Sequence, residues 1–337
     1  MRKNQEKSLG LKNSTRLPRV LGMSRSGKAL HTAALGHDRD VLGINLTAGC
    51  VHRCSFCSTR AHTNYYGDEI VYLYDESPLQ LAEELDALKR LPRAILISPD
   101  IDPFPPVGAV QRVASACAKA VAERGIEAWL MTRGFIRPAI LKTLYPFREH
   151  LRLIVGMTTL NRSWQRLLEP LAAPPTLRLR QMRDMTAAGF KVQIAVEPLI
   201  PGLTDRRENL LPLLESLSDA GIRRVHAGYM FLRTGIEAQL TPVLESLECA
   251  EDVLAEYEDG PYLGSGPAAP ARYLPKRRRQ RGYAALMALA APFGIDVRIS
   301  SGANPDFSVP QTSQPLQQPR VPLRERFEAA RDLLCSA

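Results

Sequence analysis

The stretch Val41–Cys57, VLGINLTAGCVHRCSFC, decides how the chain is read. Its first part, Val41 to Leu46, is a short and nearly continuous apolar run, the pattern of a strand buried on both faces. Its second part sets Cys50, Cys54 and Cys57 in a C-x3-C-x2-C spacing on the loop that follows. Three thiolates so close on one loop can hold three corners of a cubane iron–sulfur cluster, whereas an electron-transfer cluster usually has four protein ligands. One iron would then lack a protein thiolate. The alternative for the same loop is a closed zinc site made of the three cysteines with His52 or His62.

Outward from this stretch the pattern repeats. Further short apolar runs cover Ala94 to Ile97, Ala128 to Met131, Leu153 to Met157, Val192 to Val196 and Val225 to Met230. Amphipathic segments lie between them. Leu81, Leu85 and Leu88 make one helical stripe; Val110, Val113, Ala114, Cys117 and Val121 make another, which marks Cys117 as a core residue; Leu210, Leu214 and Leu217 make a third. Gly125, Gly189 and Gly221 each follow a helical segment and precede a strand, as helix C-caps do. Six βα repeats predict an α/β fold, a parallel sheet covered by helices; periodicity leaves open whether it is doubly wound or curls into a full or partial barrel. Polar groups gather where the strands end. These are Ser98, Asp100 and Asp102 after the second run, Thr132 and Arg133 after the third, Thr158 and Thr159 after the fourth, Glu197 after the fifth and Tyr229 near the end of the sixth. The C-terminal edge of a parallel sheet is where such folds build their sites.

The organisation expected is a basic arm over residues 1–38, a core domain over 39–240 and a mainly helical extension over 241–337. Within the extension, helical segments are predicted near 242–257 and 277–292, a strand at Ile295 to Ile299, a Pro/Gln-rich linker at 303–321 and a last helix from Arg324 to Leu334. Charge is uneven. Residues 1–30 hold eight basic side chains and one acid, so seven of the nine net positive charges of this 337-residue chain sit there. Lys276 to Arg281 forms a second basic cluster. Both suggest contact with nucleic acid through phosphates, on charge alone. The sequence holds neither an eighteen-residue apolar run nor a hydrophobic leader, which predicts a cytoplasmic protein with no membrane partner. Six cysteines are too few for a disulfide scaffold. Cys249 and Cys335 have no companions nearby and receive no chemistry.

The triplet, with Phe56 just before its third cysteine and placed after the first strand of a βα array, resembles the radical S-adenosylmethionine (radical SAM) superfamily. Within it the chain is similar to spore photoproduct lyase-like proteins, through Cys50 to Cys57, Ser98 to Phe104, Leu168-Glu169-Pro170 and Pro198 to Asp205, over roughly residues 41–235. The resemblance implies a partial (β/α)6 TIM-type barrel with parallel strands. It also implies a [4Fe-4S] cluster on Cys50, Cys54 and Cys57, and SAM chelated to the open iron and cleaved by an electron to a 5′-deoxyadenosyl radical. An external one-electron reductant of flavodoxin or ferredoxin type would be the partner.

Candidate contacts to SAM follow from side-chain chemistry. Phe56 would shield the cluster and pack near adenine. Ser98, Asp100 and Asp102 are acceptors suited to the methionyl ammonium, and Arg133 and Arg178 are donors suited to its carboxylate, which a guanidinium grips with two parallel bonds. Thr159 and Glu197 would bond the ribose hydroxyls. Spore photoproduct lyases carry tyrosines around the third cluster cysteine and a cysteine donor near the end of the second strand. Here those regions read Phe56-Cys57-Ser58 and Ser98-Pro99-Asp100, so the lyase substrate is not implied.

Overall fold

The computed structural model describes residues 16–33, 40–61, 65–264 and 270–307. The first fifteen residues of the basic arm, His62, the linker beyond residue 307, the helix expected at 324–334 and Cys335 lie outside the described residues. The strands are β1 (Arg19–Gly22), β2 (His31–Thr32), β3 (Val41–Ile44), β4 (Thr47–Ala48), β5 (Ile70–Leu73), β6 (Ala94–Ile97), β7 (Glu127–Thr132), β8 (Leu151–Gly156), β9 (Lys191–Leu199), β10 (Arg224–Tyr229), β11 (Tyr262–Leu263), β12 (Ala271–Arg272) and β13 (Asp296–Ile299). The helices are α1 (Ser77–Asp86), α2 (Gly108–Ala122), α3 (Pro138–Leu144), α4 (Arg162–Leu168), α5 (Pro175–Ala187), α6 (Arg207–Asp219), α7 (Ile236–Ser246), α8 (Ala250–Ala255) and α9 (Lys276–Ala290).

Eight strands form one sheet in the order β13-β10-β9-β8-β7-β6-β3-β2. All neighbours are parallel except β2, which pairs antiparallel with β3 at one edge. The sheet is mostly parallel and α/β, consistent with a partial TIM-type barrel that does not close. Its six central strands are the six apolar runs of the sequence. β6 is buried at all four positions, as a strand covered on both sides must be. Period-two alternation sends Leu153, Val155, Ile194, Val196, Val225 and Ala227 toward the helices, where they join Leu210, Leu213, Leu214 and Leu217 of α6 in the main core. Cys117 is fully buried there too. α1 stops at Asp86, so Leu88 falls off the stripe and is exposed. Gly125, Gly189 and Gly221 adopt φ of +71°, +87° and +80°, the left-handed turn that lets each helix end and the next strand begin.

The sheet continues past the boundary expected at residue 240. β13 pairs in parallel with β10, Arg224 to Ala227 against Asp296 to Ile299, and α9 packs on α6 and on β13. The expected extension therefore supplies a seventh parallel strand, and its strand and basic helix form a further crossover. The helix expected over 242–257 is two helices. The chain breaks at Glu248, whose φ is +54°, before α8 begins at Ala250.

The cysteine loop is an excursion with its base tied. β4 and β5 pair antiparallel through Thr47 to Leu73 and Ala48 to Tyr72, and β1 lies parallel to β5, so a three-stranded sheet anchors both ends of the segment that carries Cys50, Cys54 and Cys57.

Within Lys276 to Arg281, two of the basic residues turn inward. Arg279 is fully buried and donates to Leu274 O (3.0 Å), Asn304 Oδ1 (2.8 Å) and both oxygens of Asp306 (2.9 and 2.7 Å). Arg278 bonds Asp205 (2.8 Å) and Glu256 (2.9 Å). Only Lys276, Arg277 and Arg281 of the basic cluster are exposed. Arg279→Ala should accordingly cost about 3 kcal/mol by urea denaturation, because it removes a fully buried guanidinium that pairs with both oxygens of the half-buried Asp306 and bonds buried Asn304. Arg277→Ala should stay within about 0.5 kcal/mol of the parent.

Candidate active site

The loop that bears the three cysteines is held by hydrogen bonds to the segment after α4. Ser55 N donates to Leu168 O (2.9 Å), Leu171 N donates to His52 O (3.3 Å), and His52 Nδ1–H donates to Leu171 O (2.9 Å). Gln239 of α7 donates to Cys57 O (2.9 Å). Arg53, at φ +54°, turns the chain between the first two cysteines. The result is a short loop sewn to its neighbours on both flanks, with Cys54 buried and Cys50 and Cys57 half-buried.

Two buried carboxylates organise the surroundings. Asp102 accepts from Phe104 N (2.8 Å) and Thr132 Oγ1 (2.7 Å) through one oxygen, and from Arg133 N (2.6 Å) through the other, which also lies 3.0 Å from His52 Nε2. Burial pushes its carboxyl up, but the His52 charge and these hydrogen bonds outweigh that and hold it below the usual carboxylate range. Glu169, fully buried, lies between two guanidiniums. One oxygen accepts from Arg133 and from Thr158 (2.8 Å), the other from Arg178 (2.6 Å). Burial again opposes ionisation; Arg133 and Arg178 win, and the carboxyl sits low. Gly156 makes this packing feasible, since a Cβ there would lie 2.9 Å from the Arg133 guanidinium carbon.

These elements wall a cavity of about 310 Å3 at the C-terminal edge of the sheet. Cys50, Cys54 and Cys57 line it together with Phe56, Asp100, Asp102, Arg133 and Glu197. Met131, Ile154, Ala195, Met230 and Phe231 give it an apolar wall. Arg133 lies across the Phe56 ring, 5.0 Å from its centroid. Of the other candidates, Arg178 is not on this wall; it is buried on Glu169 and Gly156 O. Thr159 is spent locally, donating to Asn209 (2.6 Å) and accepting from Asn161 N (2.9 Å) at the start of α4. Ser98, at φ +61°, is fully buried behind the wall. Asp102 reaches the cavity but has its acceptor capacity filled by the protein. The structure thus brings together Phe56, Asp100, Asp102, Arg133 and Glu197 with the three cysteines on the cavity, and places Ser98, Thr159 and Arg178 off its lining.

Comparison with known proteins gives the family and the fold. The family model described as the radical SAM superfamily matches residues 44–214. The chain belongs to the radical SAM superfamily. It is an enzyme of that kind, and the family's cofactors are a [4Fe-4S] cluster and SAM. An uncharacterized protein of Acidianus two-tailed virus is 24% identical over 200 residues, a match spanning 55% of this chain and 66% of the viral protein. An uncharacterized protein of Mycobacterium tuberculosis (strain H37Rv) is 26% identical over 246 residues, 67% of this chain and 70% of the relative. In fold the chain is similar to a spore photoproduct lyase mutant (12% identity, TM-score 0.63) and to spore photoproduct lyase complexed with dinucleoside spore photoproduct (13%, 0.61). Each match covers 83% of this chain and 81% of the lyase.

The residues present suit a radical SAM cluster. Among the described residues no three His, Cys, Asp or Glu side chains converge on one metal ion. A cubane does not ask for that, because each thiolate binds a different iron. The zinc alternative loses its described fourth ligand, as both His52 nitrogens already face acceptors, Leu171 O and Asp102. Burial, and next the nearby Cys57, push the Cys50 thiol up to about 12, and burial with the Glu169 charge pushes Cys54 well above the ordinary thiol range. Thiols so placed ionise when a metal cation replaces the proton.

Sequence reasoning missed Glu169 as the hinge of the charge network and Ala303 as part of the wall. The Leu168-Glu169-Pro170 motif was visible, but nothing in it names Arg133 and Arg178 as partners. Ala303 lies far along the chain, in the part expected to be an extension.

Glu169→Gln leaves two buried guanidiniums without their shared counter-charge and should lower stability by about 3 kcal/mol at pH 7, read as a shift in urea denaturation. The folded-state value of Glu169 lies below its unfolded one, so its contribution is complete above the ordinary carboxylate range and is lost as pH falls through the folded value. The gap between parent and Gln variant should close on acidification; a gap that widens contradicts the assignment.

Proposed function

We propose that Cys50, Cys54 and Cys57 hold the [4Fe-4S] cluster in this radical SAM enzyme and that Arg133, Asp100, Glu197 and Phe56 seat SAM beside it. The observation that carries this reading is the meeting of three thiols and these four groups on one cavity of about 310 Å3. When bound, the cluster and SAM supply an electron and a 5′-deoxyadenosyl radical that takes hydrogen from a substrate.

The chain's own residues do the positioning. Arg133 spends three of its five N–H donors on Thr158, Glu169 and the Glu197 carbonyl, which leaves two for the methionyl carboxylate. Asp100, exposed and anchored by Asn45 (2.7 Å), offers acceptor capacity to the ammonium. Burial pushes the Glu197 carboxyl up, which suits a group that bonds ribose hydroxyls rather than a cation. A Cβ at Gly228 would come 3.0 Å from this carboxylate and 2.7 Å from Ala303, so the glycine leaves the space open. The wall of Met131, Ile154, Met230 and Phe231 keeps water from the reacting atoms and receives the substrate's carbon frame.

No cysteine besides the three ligands lines the cavity among the described residues, and the Tyr229 hydroxyl is held by Asp205 (2.8 Å). A thiol-quenched lesion repair is therefore not the reaction favoured here. The nucleic-acid reading draws on Lys276, Arg277, Arg281 and the basic arm. It would appear as binding that falls steeply with salt. Radical SAM enzymes generally need an external reductant, and we assign that role to a flavodoxin or ferredoxin. No described helix is long and apolar enough to cross a membrane. Free thiols and a reducible cluster favour the cytoplasm.

Anaerobic reconstitution should load about four irons and four sulfides per chain, and dithionite should then drive cleavage of SAM to 5′-deoxyadenosine. Cys54→Ala should abolish both, and undiminished cleavage in that variant refutes the ligand set. Asp100→Ala, a change at an exposed carboxylate outside the Glu169 network, should keep its iron but raise KM for SAM by about tenfold, equivalent to about 1.4 kcal/mol of lost ammonium binding.

A further inference from the structure

The concave face of the sheet carries a second set of groups, below the cavity, that the cluster and SAM do not use. Residues two apart on a strand share a face. Ile154 and Gly156 of β8, Ala195 of β9 and Gly228 of β10 line the cavity, so Arg152, Lys191, Gln193, Arg224 and His226 extend the same face away from it. The register joins them laterally: Arg152 pairs with Lys191, Gly156 with Ala195, Ala195 with His226, and His226 with Arg298 of β13. His226 thus lies one strand away from the cavity floor, in its own layer.

This face is charged where the interior of a closed barrel is filled with branched apolar side chains. Glu127 is shared by Arg152 (3.0 Å) and Lys191 (3.3 Å), and Asp296 by Arg224 (3.0 Å) and Arg298 (2.8 Å). In these pairs four cations face two carboxylates, and at His226 the charges of Arg224, Arg152 and Arg298 stand against that of Asp296. Between the two groups His226 Nε2 is buried with no hydrogen-bond partner, and so is Arg152 Nε. Burial, and then the charges of Arg224, Arg152 and Arg298, hold the His226 imidazole below its ordinary range. Buried polar atoms without partners and an unbalanced positive field both point to an anion that completes the set. The flanking cations are a quarter to two-fifths exposed, so solvent reaches them.

We propose that this concave face is an anion subsite that takes a phosphate group through His226, Arg152 and Arg298, and that the phosphate belongs to a small substrate whose carbon frame rises into the cavity. A phosphate answers the positive field at His226 and the unpartnered His226 Nε2 and Arg152 Nε, and guanidinium forks suit its oxygens. The substrate part of the proposal rests on the cavity being the SAM site; the anion site itself does not.

The test is calorimetric titration of the reconstituted full chain with inorganic phosphate and with ribose 5-phosphate, beside sodium acetate as control. Binding of both phosphates in preference to acetate is expected, weakened about tenfold in His226→Asn and in Arg298→Gln and unaltered in Arg277→Gln. Proton NMR of the His226 ring should show its titration move to higher pH on adding phosphate, because an anion favours the imidazolium. Tighter binding of ribose 5-phosphate than of inorganic phosphate assigns the group to a substrate; equal binding overturns that part and leaves a site for free phosphate. No phosphate binding in a preparation that still carries iron and cleaves SAM overturns the subsite while the radical SAM reading stands.

Discussion

The site depends on one carboxylate held between two guanidiniums. Glu169 is fully buried, and the desolvation of an ion so placed is recovered only through partners as close as Arg133 and Arg178. That pairing has consequences along the chain in both directions. The residues on either side of Glu169 hydrogen-bond the cysteine loop through Ser55 and His52, so fixing Glu169 fixes the loop. Arg133, pulled toward Glu169 from the end of β7, lies over Phe56 and faces the cavity with donors to spare. Strand ends, helix end and cysteine loop, which are far apart in sequence, meet at a single buried charge.

The second carboxylate has a complementary role. Asp102 gathers the backbone of Phe104 and Arg133, the Thr132 hydroxyl and the His52 ring, and so ties the loop after β6 to that after β7 and to the cysteine loop. With its acceptors filled it serves as a brace. The group free to meet a cation from the same motif is Asp100, two residues earlier and exposed. Spacing alone does not separate the two, because both follow the same strand; what separates them is which one finds donors in the folded chain.

Much of the architecture was legible because parallel strands buried on both faces leave an unmistakable apolar run, and six such runs became β3 and β6 to β10. The three cysteines were legible for a similar reason: their relationship is local in sequence. What sequence could not show are the contacts between distant polar residues. Arg178 carries the right chemistry for a carboxylate, yet meets Glu169 inside the protein; Thr159 carries the right hydroxyl, yet meets Asn209. Arg278 and Arg279 read as a basic patch, although Asp205, Glu256 and Asp306 draw them inward. β13 was expected as part of an extension because the βα rhythm falters after residue 233, and only its pairing with β10 returns it to the sheet.

The central proposal is that Cys50, Cys54 and Cys57 would hold a [4Fe-4S] cluster beside the groups that would seat SAM. Electron paramagnetic resonance of the reduced, reconstituted protein tests this most directly, recorded before and after addition of SAM labelled with 15N in its amino group. A cluster signal that changes shape and gains hyperfine coupling to that nitrogen is the expected result. A signal indifferent to SAM, with no coupling to the label, would contradict it.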